Sequence, residues 1–123
     1  MSSLYSSLGQ LGSIIFGAYF LWNGIKHVFL KTKDLMGYAQ FKGVPHPQVA
    51  VYATGILLIV GGLGVITQMY TEIALWCLAI FLIGTSLKMH AFWSIQDPQA
   101  KMMEAVQFGK NMALLGAVLS MMY

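Results

Sequence analysis

Arginine is absent from this chain, cysteine occurs once, and only 9% of the 123 residues are charged. Soluble domains average roughly 25% charged residues, so a soluble fold would have too few to cover its surface. The lone Cys77 excludes an internal disulfide, a CxxC redox pair and a zinc site. Set in an apolar run, it reads as a buried structural thiol. Without arginine there is no planar fork for phosphate or base edges, and the lysines form no dense cluster, so the net charge of +3 does not suggest a nucleic-acid partner. The four carboxylates, Asp34, Glu72, Asp97 and Glu104, divide between two ends of the expected fold and form no evident acid/base pair. GxSxG, P-loop and GxGxxG motifs are missing, and no residue set suggests a metal centre. The N-terminal stretch has no basic leader and no small-residue cleavage site, so the first apolar segment is expected to persist as a helix.

What the chain has is apolar length. Hydrophobic residues make up 58% of it and the mean hydropathy is +0.70. A hydrocarbon core of about 30 Å needs about 20 helical residues. Four segments approach that length, at about 8–30, 49–70, 73–93 and 98–122. The expected fold is therefore all-α: a four-helix integral membrane bundle, up-down-up-down, with residues 1–123 as one domain. Between the first two segments, Asp34–Phe41 is expected as a short interfacial helix, broken by Gly43–Pro47. Pro47 suits a first helical turn, where its missing N–H costs nothing. Asp97-Pro98 reads as an N-cap followed by a first-turn proline. Glycines 55, 61, 62 and 64, and the ridge Gly109, Ala113, Gly116, Ala117 and Ser120, predict close helix packing.

The lysines give direction. Lys26, Lys31, Lys33 and Lys42 follow the first segment, and Lys88, Lys101 and Lys110 surround the turn between the third and fourth. Loops one and three thus share one face and hold every lysine. Because short-loop lysines resist translocation, that face is expected to be cytoplasmic, with both termini outside.

Helical rise also collects a polar mouth near this face. Lys26 and His27 end the first segment, His90 and Trp93 end the third, and Lys110 and Asn111 lie one to two turns inside the fourth. Tyr19, Asn23 and His27, spaced i, i+4, i+8, share one helix face. Lys110 lies about 10 Å below the lysine-rich face in a core of roughly 30 Å, with no acid at i±3 or i±4. Its partner is expected from another helix, a lipid headgroup or a ligand, unless it snorkels. These six residues, Lys26, His27, His90, Trp93, Lys110 and Asn111, are the candidate ligand-binding set, suited to an anion or a quinone carbonyl. The alternative is that they only fix depth and orientation.

The same stretches resemble the DoxX family of small four-helix membrane proteins. The resemblance runs through Tyr19–His27, Tyr38-Ala39, Lys42–Pro45, Gly61-Gly62, His90–Trp93, Asp97-Pro98 and Phe108–Ala117. It implies a bacterial or archaeal cytoplasmic (inner) membrane. The implied role is an accessory or small subunit near quinone-linked redox or respiratory complexes, with no resident cofactor expected and quinone as the candidate ligand. The implied partners are membrane lipid and a larger redox complex or a second copy. Two alternatives are a quinone-reactive subunit of the thiosulfate:quinone oxidoreductase kind and a small-molecule or lipid carrier. Redox-linked relatives carry further cysteines or an acid in the second helix. Here that helix has Leu57 and Leu58, which favours a role without autonomous catalysis.

Overall fold

The computed structural model describes residues 2–122 and is helical throughout, with no strand among the described residues. Helix α1 spans Ser2–Ile25 and runs directly into a π-helical turn, Lys26–Leu30. Helices α2 (Thr32–Phe41), α3 (Pro47–Thr67) and α4 (Thr71–Lys88) follow. A 3-10 turn, Phe92–Ser94, leads to α5 (Pro98–Ser120). The expected segments at 8–30, 49–70, 73–93 and 98–122 all become helices, with ends shifted by a few residues. Met1 and Tyr123, the limits of the expected single domain, lie outside the described residues.

Local chemistry sets the ends. Pro47 occupies the first turn of α3. The Asp97 carboxylate accepts a 2.9 Å hydrogen bond from the Ala100 N–H, closing the start of α5 as an N-cap should. The α2–α3 connection reverses through Gly43 and His46, both in the left-handed region at φ 79° and 49°. Glycine enters that region without a Cβ penalty. The π turn is held by the Lys31 N–H on the Lys26 carbonyl at 2.8 Å and the Thr32 hydroxyl on the His27 carbonyl at 2.7 Å.

Three stretches are long and apolar enough to cross a membrane, Ser3–Leu30, Pro47–Thr67 and Thr71–Ser94. Helix α3 lies between α1 and α4, and α4 in turn packs on α5. Glycine pairs set the α1–α3 distance. A Cβ on Gly17 would stand 2.8 Å from the Gly62 carbonyl oxygen, and one on Gly24 would stand 2.9 Å from that of Gly55. Rising numbers on α1 meet falling numbers on α3, so the two run antiparallel. On the other side of α3, a Cβ at Gly61 or Gly64 would strike Leu78 or Ala74 of α4. The core is made by Phe20, Leu58, Val65, Leu75, Leu78, Leu82 and Val118. The α5 ridge behaves differently from the expectation. Gly109, Ala113, Gly116 and Ser120 are exposed, and nothing stands within 4 Å of a Cβ at Gly109 or Gly116. The close approach expected there is supplied by α1 and α3.

Candidate ligand-binding site

Helices α1 and α5 make no close backbone approach to each other among the described residues. Bulky side chains bridge the deep end of the gap, where Phe16, Phe20, Leu114 and Leu115 join the core. Nearer α2 the gap widens into a cavity of about 870 Å³, walled by α1, α3, α4 and α5 and overlaid by α2. That volume falls within the ~300–1,000 Å³ typical of small-molecule sites. Its apolar walls include Phe20, Leu35, Leu57, Ile80, Phe81, Leu82 and Leu114.

Polar groups enter from three sides. Tyr19, Asn23 and His27 all line the cavity from α1, as their i, i+4, i+8 spacing requires. They are tied to their own helix: the Asn23 amide donates to the Tyr19 carbonyl at 2.8 Å, and His27 Nδ1 donates to the Asn23 carbonyl at 2.7 Å. A carbonyl oxygen can only accept, so Nδ1 holds a proton. In the neutral ring Nε2 is then left as an acceptor. The His27 ring also meets Phe81 edge-on, 6.1 Å between centroids.

The α5 wall contributes Lys110 and Asn111. The Lys110 ammonium donates to the Tyr19 hydroxyl at 3.1 Å and to Gln107 Oε1 at 2.9 Å. Both partners are neutral. The first crosses the α1–α5 gap. Asn111, 4% exposed, also lines the cavity.

The end under α2 is organised by Glu104, which the sequence reading left out of the site. Its carboxylate, 11% exposed, forms an ion pair with Lys42, which is 14% exposed. It also accepts a 2.6 Å hydrogen bond from the Tyr38 hydroxyl and lies 3.3 Å from His90 Nδ1. Burial, and after it the adjoining Glu104 carboxylate, push the Tyr38 phenol well above its ordinary range, so it remains a donor. Tyr38 and Lys42, one helical turn apart, straddle the end of α2, while His90 follows α4. One α5 carboxylate thereby joins the connection after α1 to the connection after α4. Lys88 adds to this convergence, its ammonium lying 3.8 Å from where a Cβ on Gly43 would stand. Loops one and three do share one end of the molecule.

Four of the six expected residues, His27, His90, Lys110 and Asn111, line one cavity. Lys26 and Trp93 do not. Lys26 begins the π turn and is half-buried outside the cavity. Trp93 packs edge-on against Phe92 and Phe108, with centroids 5.4 and 5.5 Å away, and so pins the 3-10 turn to α5. The partner expected for Lys110 from another helix is the Tyr19 hydroxyl, and Gln107 at i−3 is the second. The reading missed Gln107 because it sought only acids at that spacing.

The DoxX family model matches residues 11–91. The chain belongs to the DoxX family. The match covers α1 through α4 and His90, so Glu104, Lys110 and Asn111 lie beyond the matched residues of this DoxX protein. At the stringency of the comparison, no curated protein and no solved structure matches the chain.

Proposed function

We propose that this DoxX-family membrane protein holds an amphipathic small molecule in the cavity beneath α2, as a non-catalytic subunit beside a quinone-linked redox complex of a bacterial or archaeal inner membrane. The observation that carries this is the cavity itself, apolar along its length and polar at the groups contributed by α1, α5 and the α2 end. A quinone, with an apolar body and carbonyl oxygens, suits such a space. Among the polar groups, Lys110 and Asn111 offer donors and His27 Nε2 an acceptor.

The same reading makes α5 the fourth crossing of an up-down-up-down bundle. Its polar residues lower its apolarity, yet Glu104 and Asn111 are buried among other helices and make no demand on lipid. The lysine-rich end faces the cytoplasm.

The test is mild purification from the native membrane, with identification of co-purifying proteins and extracted quinones. A stable larger complex, together with a quinone lost from a cavity-filled Gly84→Leu variant, supports the proposal. Gly84 lines the cavity, and a Cβ added there meets nothing within 4 Å, so a larger side chain can begin there without striking the backbone. Purification as a free protein, with no quinone or with a quinone indifferent to Gly84→Leu, refutes it.

A further inference from the structure

The cavity wall holds Lys42, Lys88 and Lys110 but one carboxylate, Glu104. Glu104 is already paired with Lys42. The ion pairs among the described residues involve Glu104 alone, which leaves Lys110 with only the neutral oxygens of Tyr19 and Gln107. Helical rise places Lys110 about 10 Å below the lysine-rich face in a core of roughly 30 Å. A lysine placed that far along a membrane helix has a strong call for a counter-charge. The chain does not supply one. Beside it, Asn111, 4% exposed, lines the same cavity. Both carry donors, and neither has an anionic partner among the described residues.

The position of this pair bears on how a ligand arrives. Lys110 is exposed, and Tyr19 is 41% exposed. They meet across the α1–α5 gap, where the backbones do not approach, and their 3.1 Å hydrogen bond spans that side of the cavity. The opposite walls are shut by the glycine-packed α1–α3 contact and the α3–α4 contact. A molecule dissolved in the bilayer would meet the Tyr19–Lys110 bridge first. Its oxyanion could take the place of the Tyr19 hydroxyl on Lys110 while its apolar body passed inward.

We propose that the cavity takes an acidic amphiphile from the bilayer through the α1–α5 seam, its oxyanion held by Lys110 and Asn111. This rests on the cavity being a ligand site and names the class of head group that it selects. The head is a carboxylate, phosphate or enolate oxygen. The source is the membrane, and a free aqueous anion is the alternative that the test separates.

The probe is 11-(dansylamino)undecanoic acid, whose emission rises in a dry pocket, titrated into the protein in nanodiscs and compared with its methyl ester. The acid is expected to bind more tightly than the ester. Lys110→Met should weaken the acid about ten- to a hundredfold, the range of a lost charged hydrogen bond, and leave the ester unchanged. Lys110→Arg should restore most of the binding, and Asn111→Leu should weaken the acid by a smaller factor. Gly84→Leu should abolish binding of both probes. Helicity and monodispersity are checked for each variant. Equal binding of acid and ester, indifferent to Lys110→Met but lost in Gly84→Leu, overturns the acidic head and leaves the cavity reading standing. Binding indifferent to Gly84→Leu overturns both. Competition by millimolar inorganic phosphate overturns the membrane source.

Discussion

Replacing Glu104 with alanine should release α2 from the rest of the molecule. Helix α2 packs along α3 and beside the π turn, and it makes no close backbone approach to α4 or α5 among the described residues. Its tie to α5 is the Glu104 carboxylate, paired with Lys42 and accepting from Tyr38 at 2.6 Å. Both charged side chains are mostly buried, at 14% and 11% exposure. Removing one partner of such a pair costs about 3–5 kcal/mol, because the other charge stays buried without compensation. The loss of the Tyr38 acceptor falls on the same site. Taking out both charges, as in Glu104→Met with Lys42→Met, should recover most of that loss, since no charge is left orphaned and only the neutral Tyr38 and His90 groups lose their acceptor. The assay is unfolding in nanodiscs for the Glu104→Ala single variant and the Glu104→Met, Lys42→Met double variant, with hydrogen exchange read over Thr32–Phe41. The expected result is a marked loss in the Glu104→Ala protein, faster exchange confined to α2, and recovery in the double variant. A Glu104→Ala protein with unchanged stability and unchanged α2 protection would refute the reasoning.

Other outcomes follow from packing and charge. Gly62→Ala should destabilise by about 1–3 kcal/mol, because the new Cβ would stand 2.7 Å from the backbone at Gly17 and Leu21. Gly109→Ala, with open space at its Cβ, should stabilise by about 0.5–1 kcal/mol through helix propensity, read in the same unfolding assay. Cys77→Ala should leave any cellular function intact, as complementation of a deletion strain would show, and loss of function in a well-folded Cys77→Ala protein would establish a thiol role. Tags at both termini should react with an impermeant reagent applied from outside intact cells, whereas protection at both ends would reverse the orientation.

Much of the scaffold was legible because its signals are local. Apolar length marked α1, α3 and α4, and Pro47 and Asp97 marked two helix starts through backbone geometry that depends on the residue itself. The i, i+4, i+8 spacing of Tyr19, Asn23 and His27 placed them on one face, and that face lines the cavity. Signals that depend on which helices meet were harder to see. The small residues of α5 carry the same pattern as those of α3, yet Gly109 and Gly116 face outward while Gly55 and Gly62 are buried. A small-residue ridge permits close approach and does not say which helix comes near. Glu104 was overlooked because its partners are distant in sequence, Tyr38 being 66 residues away. A trace was present in Tyr38 and Lys42, four apart on a short helix, which together present a hydroxyl and an ammonium to whatever lies beneath. Trp93 was misplaced for a related reason. Helical rise gives its place along the third segment, but only the path of the 3-10 turn shows that it packs on Phe108.

The central claim is that the space beneath α2 is occupied by an amphipathic molecule in the membrane. Native mass spectrometry of the gently purified protein tests it most directly, run side by side on the natural sequence and on Gly84→Leu. A small-molecule adduct is expected on the natural protein and absent from the Gly84→Leu protein, with both helical and monodisperse. An adduct carried equally by the two, or by neither, would contradict it.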